Sequence, residues 1–554
     1  MSCLESECVN IKDFYLELFS TPYYHFIDEL SETDHERKKL LGSFYTDYRV
    51  ATELIKRMID VAPVDLLNSS KLSIIDPFSG DGRLIQIFLT ELNSVSKLKG
   101  REVNITLWDV DDEALSKSEY IINKVKLELG FEGNLTIENT DSFVNYIDYI
   151  GLFDFCITNP PWGLLKPLKI INSRINDDVV NSYKNALSAY DDYFKKEFVT
   201  SQPKSKFGKW GTNLGRAGVE VAICLVRTGG ICGFVSPSSL FNDQVSFNFR
   251  KVLFEKYRIE SISYFPAKLK LYGSADVSSV TVVLTKGITE QIKINIYNVK
   301  FEKESTCFGE NDLIRIKDND YRIGLENGVE LLKFDNHFDD LKTLNEVCEQ
   351  NGLVFTRELD ETRISEKYIE FSNYMFAKGF MVDRYSFENA NLYLDANKIK
   401  IPKSVNYSKL VWRDVSRSTQ SRRVKATLLA PNFIAGNSLG VIYSINNDLN
   451  KLKLLLAIFN SIVFEFQTRN KLVSNHVPVG VIKTIKVPDL VENKDVTTLV
   501  EKRMRGIDVD FELEVIVAKM YGLKKDDFIS IAKSFDYNKA DLTILSKTWE
   551  KNLK

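Results

Sequence analysis

The 554-residue sequence lacks the features of a membrane or secreted protein. No uninterrupted apolar run approaches the roughly 20 residues that a membrane-spanning helix needs. The N-terminus, MSCLESECVN, is acidic where a secretion signal is basic, and no apolar stretch follows it. We therefore expect a cytoplasmic protein with no membrane partner.

Metal-binding residues are also scarce. The seven cysteines include no C-x-x-C pair, and the sequence has only four histidines. Structural zinc sites are usually built from closely spaced pairs of these residues. We therefore expect free thiols and no bound metal.

The sequence does contain enough apolar material for more than one core. Hydrophobic residues make up 44 % and charged residues 27 %, which is typical of globular proteins. A chain of this length is expected to form two or three domains. The formal net charge is −3, but binding to phosphates depends on local basic patches rather than on the total charge. Nucleic acid therefore remains a candidate partner.

Between about Leu72 and Leu284, short apolar runs alternate with stretches of helical periodicity. This alternation is typical of an α/β fold with a doubly wound, mostly parallel sheet. The expected strands are Leu72 to Ile75, Ile105 to Trp108, Phe153 to Ile157, Ile231 to Val235, Ile259 to Tyr264 and Ser279 to Leu284. Before them, Arg49 to Val61 has apolar residues at helical spacing and predicts a helix that packs on the sheet.

The pattern divides the chain into three parts. Residues 1–40 are predicted to form an N-terminal helical extension, residues 41–330 a Rossmann-like α/β domain, and residues 331–554 a second, α+β domain. Within the α/β domain, the polar stretch Asn176 to Gly215 is too long for a plain connection. It predicts a mobile or ligand-ordered insertion.

One candidate ligand site lies where the first expected strand runs into a glycine-containing turn, DPFSGDG (76–82). Gly80 and Gly82 allow the backbone to approach a ligand closely because they have no Cβ. Asp76 places a carboxylate at the C-terminal end of the strand, where α/β sheets bind ligands. Since a carboxylate suits a cation, the turn favours the amino group of a bound amino acid over a pyrophosphate.

Four further residues extend this site. Asp109 ends the next expected strand and is followed by Val110; an acidic residue at this place can accept hydrogen bonds from both hydroxyls of a ribose. Asp141 offers an acceptor for an adenine amino group, and Phe143 offers an apolar wall for the ring. The order of these residues predicts a pocket for a ligand with an adenosine part and an amino-acid part.

The strongest signal is the segment FDFCITNPPWG (153–163), an apolar strand followed by an amide, two prolines and an aromatic. The exocyclic amino group of a base is a poor nucleophile because its lone pair is delocalised into the ring. The side-chain oxygen of Asn159 and the carbonyl oxygen of Pro160 can each accept one of its N–H groups. Pro160 and Pro161 hold that carbonyl in place because their rings fix φ. The segment predicts a site that directs such a nitrogen toward a methyl sulfonium.

Aromatic residues complete the predicted target site. A base inside a duplex must be flipped out to reach such a site, and stacking on aromatic side chains offsets part of the cost. Trp162 is the expected stacking platform. A second wall is expected from Phe247 or Phe241, which follow the strand Ile231 to Val235, and we favour Phe247.

Together these residues resemble the amino-methyltransferase family, specifically adenine-N6 DNA methyltransferases with a C-terminal recognition domain. The segment GSFYTD (42–47) resembles the family's N-terminal cofactor motif, although the family usually has proline where this chain has Asp47. The resemblance implies an S-adenosylmethionine-dependent methyltransferase domain at 41–330 and a DNA target recognition domain at 331–554. It also implies a bacterial restriction-modification enzyme that acts on double-stranded DNA.

The resemblance further implies roles for individual residues. Thr46 and the nearby backbone would hold the methionine carboxylate of the cofactor, Asp109 its ribose and Asp141 its adenine amino group. The implied cofactor-binding residues are Tyr45, Thr46, Asp76, Pro77, Gly80, Gly82, Asp109, Val110, Asp141, Phe143 and Asn159. The implied catalytic residues are Asn159, Pro160, Pro161, Trp162 and Phe247.

A basic stretch in the C-terminal half resembles methyltransferases that are paired with restriction enzymes cutting outside their site. Among its basic residues the only acid is Asp414, so the stretch predicts contacts with phosphates and base edges. The expected DNA-binding residues are Lys409, Arg413, Arg417, Arg422 and Arg423. The resemblance also implies a cognate restriction endonuclease encoded separately.

Other functions remain open. Asn-Pro-Pro-aromatic motifs also serve enzymes that methylate guanine in RNA or glutamine in proteins, but those usually carry their extra module ahead of the catalytic core. The chain could also be the methyltransferase or DNA-binding subunit of a larger restriction complex. A cytosine-C5 methyltransferase is disfavoured because no Pro-Cys dipeptide occurs. The acidic residues after Pro488 are too close together for a nuclease metal site.

Overall fold

The computed structural model describes most of the chain, as residues 22–31, 33, 37, 41, 45–165, 176–203, 212–272, 276–328, 332, 335–361, 364–417, 419–472, 475–535 and 537–551. The chain divides into two units, Met1–Ile323 and Gly324–Lys554. Most of the expected extension at 1–40 lies outside the described residues. The same holds for residues 42–44 of the N-terminal cofactor motif.

The first unit alternates helices and strands. Its described α-helices are α1 (Ile27–Leu30), α2 (Tyr48–Val61), α3 (Val64–Leu67), α4 (Arg83–Val95), α5 (Asp112–Leu129), α6 (Ser142–Asn145), α7 (Asp177–Glu197), α8 (Leu214–Leu225), α9 (Phe247–Lys256) and α10 (Glu310–Asp318). Its described strands are β1 (Lys71–Asp76), β2 (Glu102–Asp109), β3 (Leu135–Asn139), β4 (Phe153–Thr158), β5 (Val226–Pro237), β6 (Tyr257–Phe265), β7 (Ser279–Lys286), β8 (Ile292–Tyr297) and β9 (Lys303–Phe308).

These strands form a nine-stranded sheet in the order β3-β2-β1-β4-β5-β7-β6-β8-β9. Strands β3, β2, β1, β4 and β5 are parallel, and β7 then pairs antiparallel with both β5 and β6. In the register, Ile74 of β1 lies opposite Ile105 of β2 and Phe155 of β4. The strand order reverses between β1 and β4. At such a reversal, α/β sheets bind ligands at the carboxyl ends of their strands.

Burial of apolar side chains accounts for this arrangement. β4 is buried along its whole length, as expected for a central strand covered by helices on both faces. Helix α2 packs Val50, Leu54 and Met58 into the core, where none of the three is exposed. Gly233 of β5 makes this close packing possible, because a Cβ at that position would collide with Met58.

The expected doubly wound, mostly parallel sheet is confirmed. All the expected strands lie within β1, β2, β4, β5, β6 and β7, and the expected helix corresponds to α2. Strands β3, β8 and β9 were missed; the residues of β3 are only half-buried or exposed, so no apolar run marks it. Part of the expected insertion at Asn176 to Gly215 is helical, over residues 177–197. These form the 21-residue helix α7, which buries an aromatic face.

The second unit combines short strands with helices. Its described α-helices are α11 (Leu344–Gln350), α12 (Leu449–Phe459), α13 (Ile462–Arg469), α14 (Val479–Ile482), α15 (Lys494–Met504), α16 (Asp510–Met520), α17 (Lys525–Lys533) and α18 (Lys539–Lys551). Its described strands are β10 (Lys342–Thr343), β11 (Leu353–Thr356), β12 (Tyr368–Ile369), β13 (Met375–Ala377), β14 (Val382–Asp383), β15 (Ser386–Phe387), β16 (Tyr393–Leu394), β17 (Lys409–Arg413), β18 (Ala426–Leu429), β19 (Phe433–Ala435), β20 (Leu439–Ser444) and β21 (Lys486–Val487).

The second unit has the expected α+β architecture. An antiparallel sheet has the order β11-β20-β17-β18, and a mixed sheet has the order β12-β16-β13-β19. Trp412 of β17 is fully buried and packs against Phe459 of α12, with the ring centroids 5.5 Å apart. The core of this unit is therefore shared between strands and helices.

Candidate active site

A deep pocket opens at the carboxyl ends of β1, β2 and β4, where the strand order reverses. It encloses about 1000 Å³, counting its open mouth. The residues that line it are Tyr23, Tyr24, Leu41, Tyr45, Thr46, Phe78, Ser79, Gly80, Asp81, Arg83, Leu84, Asp109, Val110, Asp111, Ala114, Asp141, Ser142, Phe143, Asn159, Pro161 and Tyr190. Motifs separated by more than a hundred residues are thus brought to one cavity.

Asp76, at the end of β1, lies behind the pocket lining. Its Oδ1 accepts hydrogen bonds from the Thr158 hydroxyl at 2.7 Å and from the Phe78 N–H at 3.1 Å. Burial raises the pKa of Asp76 to about 7, although these two hydrogen bonds act in the opposite direction. Asp76 is fully buried and is not among the residues that line the pocket, and its contact with the cofactor stays a prediction. Its carboxyl group ties β1 to β4 and to the turn after β1.

The two glycines of the turn have different roles. Gly80 lines the pocket at a φ of +49°, and its N–H donates to Asp109 Oδ2 at 2.8 Å. Gly82 has a φ of +75°, and a Cβ there would lie 2.6 Å from Cβ of Ser118 on α5. Gly82 is therefore needed for the close approach of α5; it does not line the pocket, and its cofactor role stays a prediction. Pro77 also lies outside the lining; its carbonyl accepts the hydroxyl of Ser142.

Asp109 and Val110 line the pocket at the end of β2. Besides the Gly80 N–H, the Asp109 carboxylate accepts the Asp111 N–H on Oδ1 at 3.0 Å. Burial raises the pKa of Asp109, and the hydrogen bonds from these backbone donors oppose the rise. A carboxylate has about four acceptor positions. Asp109 is thus held in one orientation with lone pairs left for the hydroxyls of a ligand.

Asp141 is held by one backbone and one side-chain donor. Its Oδ1 accepts the Phe143 N–H at 2.9 Å, and its Oδ2 accepts the hydroxyl of Tyr190 at 2.5 Å. Burial raises the pKa of Asp141, while the Tyr190 hydroxyl lowers it. Phe143 supplies an apolar wall and packs 5.1 Å from the ring of Phe78, between centroids. Sequence reasoning did not identify Tyr190, although the sequence of residues 177–197 contains several tyrosines.

The Asn-Pro-Pro-Trp loop leaves β4 beside this pocket. The side-chain nitrogen Nδ2 of Asn159 donates to the Thr46 hydroxyl at 3.1 Å, and both Asn159 and Pro161 line the pocket. Pro160 packs against α8 at Gly218, where a Cβ would collide with the proline ring. These contacts fix the loop from two sides.

A short backbone bridge closes the same loop against the start of α8. The N–H of Leu214 donates to the carbonyl of Gly163 at 2.9 Å, and the N–H of Leu165 donates to the carbonyl of Thr212 at 2.9 Å. The Thr212 hydroxyl in turn donates to Asp191 of α7 at 3.2 Å. Helix α7 therefore lines the pocket through Tyr190 and contacts Thr212 of this bridge through the next residue.

The predicted aromatic walls have unequal support. Trp162 packs against Tyr272, with the ring centroids 4.5 Å apart and the planes tilted by 59°; Tyr272 was not found by sequence reasoning. Phe241 is fully buried in the core, which removes it as a wall. Phe247 begins α9 and packs 6.2 Å from the ring of Tyr321. Trp162 and Phe247 do not line the cofactor pocket, and their stacking on a target base stays a prediction.

The N-terminal cofactor motif is described from Tyr45 onward. Arg83 of α4 donates to the carbonyl of Thr46 at 2.8 Å and lies over the ring of Tyr45, 5.7 Å from its centroid. Asp47 caps α2 by accepting the N–H of Arg49 at 2.9 Å. The aspartate that replaces the family's usual proline thus has a helix-capping role.

The structure contradicts most of the predicted DNA-binding residues in the second unit. Lys409 is fully buried and paired with Glu358, with a distance of 2.5 Å between Nζ and Oε1. Arg422 is largely buried and paired with Glu514, and Arg423 is 2 % exposed and donates to the Ser416 carbonyl. A side chain that is enclosed by protein cannot reach a phosphate, so Lys409, Arg422 and Arg423 are corrected to structural residues.

Two predicted DNA-binding residues remain accessible. Arg417 is exposed, and Arg413 is half-buried. The guanidinium of Arg413 donates to the carbonyls of Gly379 at 3.0 Å and Val382 at 2.7 Å. Arg417 is therefore the better remaining candidate for a phosphate contact.

Comparison with known proteins identifies a methylase family that this chain resembles. Residues 85–272 match the Eco57I restriction-modification methylase family. The match covers about a third of the chain and includes Asp109, Asp141 and the Asn-Pro-Pro-Trp loop. It confirms the resemblance to restriction-modification methyltransferases that the motifs indicate and, with it, S-adenosylmethionine as the cofactor. A search of curated proteins found no match.

Several solved structures are similar to this chain. The type IIG restriction endonuclease BpuSI aligns at 14 % identity with a TM-score of 0.40, covering 93 % of this chain and 69 % of that one. A DrdV–DNA complex aligns at 12 % identity with a TM-score of 0.49, covering 87 % and 59 %. The methyltransferase subunit of a type I restriction-modification system from Streptococcus thermophilus aligns at 16 % identity with a TM-score of 0.34, covering 52 % and 56 %.

The part of the chain that the structure describes lacks two further features. None of its helices combines the length and apolar character needed to cross a bilayer. Its His, Cys, Asp and Glu side chains form no group of three or more that could hold a metal ion.

Proposed function

We propose that this protein is a site-specific DNA methyltransferase that moves the methyl group of S-adenosylmethionine to N6 of an adenine flipped out of double-stranded DNA. The observation that carries the proposal is that Asn159 and Pro161 line the same pocket as Asp109 and Asp141. A methyl donor held by the two acids would lie next to the Asn-Pro-Pro-Trp loop. The match to a restriction-modification methylase family supports DNA as the substrate.

The orientation of Asn159 supports its role as an acceptor. Because its nitrogen donates to the Thr46 hydroxyl, its amide oxygen lies on the opposite edge of the group. This oxygen and the Pro160 carbonyl can accept hydrogen bonds from the two N–H groups of an adenine amino group. They would thereby favour a tetrahedral nitrogen whose lone pair is no longer delocalised into the ring. Preorganised dipoles of this kind stabilise the charge that develops in the transition state. Bound S-adenosylmethionine supplies the electrophilic methyl group.

We assign target recognition to the second unit, with Arg417 and Arg413 as its candidate contacts to DNA. In this proposal the protein acts in the bacterial cytoplasm and methylates host DNA to protect it from a cognate restriction endonuclease encoded separately. The family match supports the restriction-modification setting.

The proposal is tested with the full-length protein, tritiated S-adenosylmethionine and three substrates, namely duplex DNA, ribosomal RNA and a protein extract. We expect label in the DNA, recovered as N6-methyladenine after digestion. Asn159→Ala should lose incorporation. Asn145→Ala should keep it, because Asn145 bonds to Glu138 outside the pocket lining. Label in RNA or protein would favour an RNA or protein amino-group methyltransferase, and labelled cytosine would overturn the adenine assignment.

A further inference from the structure

Helix α7 brings one tyrosine into contact with the acid expected to bind the cofactor's adenine. Tyr190 lines the pocket and is 1 % exposed. Its hydroxyl donates to Asp141 Oδ2 at 2.5 Å, while the N–H of Phe143 donates to Oδ1 of the same carboxylate at 2.9 Å. Each oxygen of Asp141 thus has one donor from the protein.

Three aromatic side chains surround the ring of Tyr190. The ring packs edge-on against Tyr23, with centroids 5.0 Å apart, and against Tyr24 at 6.3 Å. On the same helix, Phe194 lies 6.2 Å away. The following residue, Asp191, accepts the Thr212 hydroxyl. These contacts direct the hydroxyl of Tyr190 at Asp141.

This arrangement has a consequence for what Asp141 can recognise. An ionised carboxylate only accepts hydrogen bonds, whereas a protonated one can also donate. A hydroxyl donated to the carboxylate favours the ionised form. Such an acceptor suits the 6-amino group of adenine and opposes the 6-oxo group of hypoxanthine, which has no hydrogen to donate at that position.

We propose that Tyr190 is a positioning residue that holds Asp141 as an acceptor for the 6-amino group of the cofactor's adenine and so makes the pocket discriminate against 6-oxo purines. The inference rests on the cofactor-binding role of Asp141 in the proposed function. It adds a residue from the insertion to the cofactor site.

The experiment compares the affinities of the full-length protein for S-adenosylhomocysteine and S-inosylhomocysteine by isothermal titration calorimetry. These two ligands differ in the 6-substituent of the purine. We expect the wild type to prefer the adenosine ligand and Tyr190→Phe to reduce that preference about tenfold, the scale of one hydrogen bond to a charged group. The ratio of two affinities cancels any general loss of binding-competent protein.

Tyr193→Phe is the matched control. Tyr193 lies on the same helix, is also 1 % exposed, and donates its hydroxyl to the carbonyl of Phe143 at 2.6 Å, not to Asp141. We expect this variant to keep the wild-type preference. A loss of preference as large as that of Tyr190→Phe would show a general packing effect and overturn the inference.

Two other outcomes separate the inference from the function beneath it. If the wild type discriminates and Asp141→Asn does not, while Tyr190→Phe keeps the full preference, Tyr190 has no positioning role and the cofactor site still stands. If the wild type binds both ligands equally well, the role of Asp141 is wrong and the inference fails with it. Both phenylalanine variants retain the aromatic ring. Thermal unfolding of every variant checks that folded proteins are being compared.

Discussion

Two sites were predicted from residue type, namely the cofactor pocket of the first unit and the basic stretch of the second unit. Only the residues predicted for the pocket come together at one surface. Asp109, Asp141 and Asn159 line one cavity, whereas Lys409 and Arg423 are enclosed in a core. The carboxyl ends of parallel strands meet at one edge of a sheet whatever their side chains contact. Whether a basic side chain is exposed depends instead on whether an acidic residue from a distant part of the chain pairs with it inside the protein. Position at a strand end is therefore a better guide to a site than charge.

The largest expected effect tests this difference within the basic stretch. Lys409→Met leaves the buried Glu358 without its cation, and we expect the free energy of unfolding to fall by about 3–5 kcal/mol. Arg417→Met removes an exposed cation and should change it by less than about 0.5 kcal/mol. Urea titrations followed by circular dichroism measure both values. Similar losses in the two variants would contradict the difference in burial.

The next effect concerns chemistry at the pocket. Asn159→Ala removes one of the two proposed acceptors, and we expect methyl transfer to slow about 10²–10³-fold, as when one preorganised hydrogen bond to a transition state is lost. Affinity for S-adenosylhomocysteine should be largely retained. Single-turnover transfer and calorimetry measure the two quantities. A variant with near-normal transfer would remove Asn159 from the mechanism.

A smaller effect separates the two glycines of the turn after β1. Gly82→Ala places a methyl group against Ser118 at a positive φ, so we expect a stability loss of about 1–3 kcal/mol from crowding. Gly80→Ala also places alanine at a positive φ, which costs about 1 kcal/mol, but its Cβ makes only ordinary contact with Tyr45, at 3.6 Å. We therefore expect a smaller stability loss than at Gly82, together with weaker cofactor affinity because the methyl group is added to the lining. Thermal unfolding with and without S-adenosylhomocysteine distinguishes these outcomes. The assignment fails if Gly82→Ala is stable but binds the cofactor poorly.

The smallest effect is expected at Arg417. If its guanidinium contacts one phosphate, Arg417→Ala should reduce the slope of log affinity against log salt by about 0.9 and weaken binding to all duplexes alike. Fluorescence anisotropy at several salt concentrations measures the slope. Lys409→Met, measured where it remains folded, should leave the slope unchanged. A larger change at Lys409 than at Arg417 would restore the original prediction.

The sequence predicts those parts of the fold and of the candidate site that depend on residues close together in the chain. β4 was recognised because most of its residues are apolar, and the structure buries its whole length. β3 was missed because its few residues alternate weakly between half-buried and exposed positions. The pocket motifs were found because each consists of a strand and the turn that follows it. These signals need no knowledge of distant residues.

Contacts between distant residues could not be predicted in the same way. Tyr190 is one of several tyrosines in α7, and nothing in the local pattern selects it as the one that meets Asp141. The burial of Lys409 depends on Glu358, which lies on another segment of the second unit. Asp76 was correctly located at a strand end, yet the turn after it covers its carboxyl group. In each case the missing information is which side chains meet after the chain has folded.

Gly218 gives the Asn-Pro-Pro-Trp loop an unusual dependence on helix α8. Because Pro160 occupies the space where a β-carbon of residue 218 would stand, even alanine there must displace either the helix or the proline. In a saturation library scored for DNA protection, codon 218 should therefore tolerate almost nothing but glycine, although its residue touches neither DNA nor methyl donor in the proposed reaction.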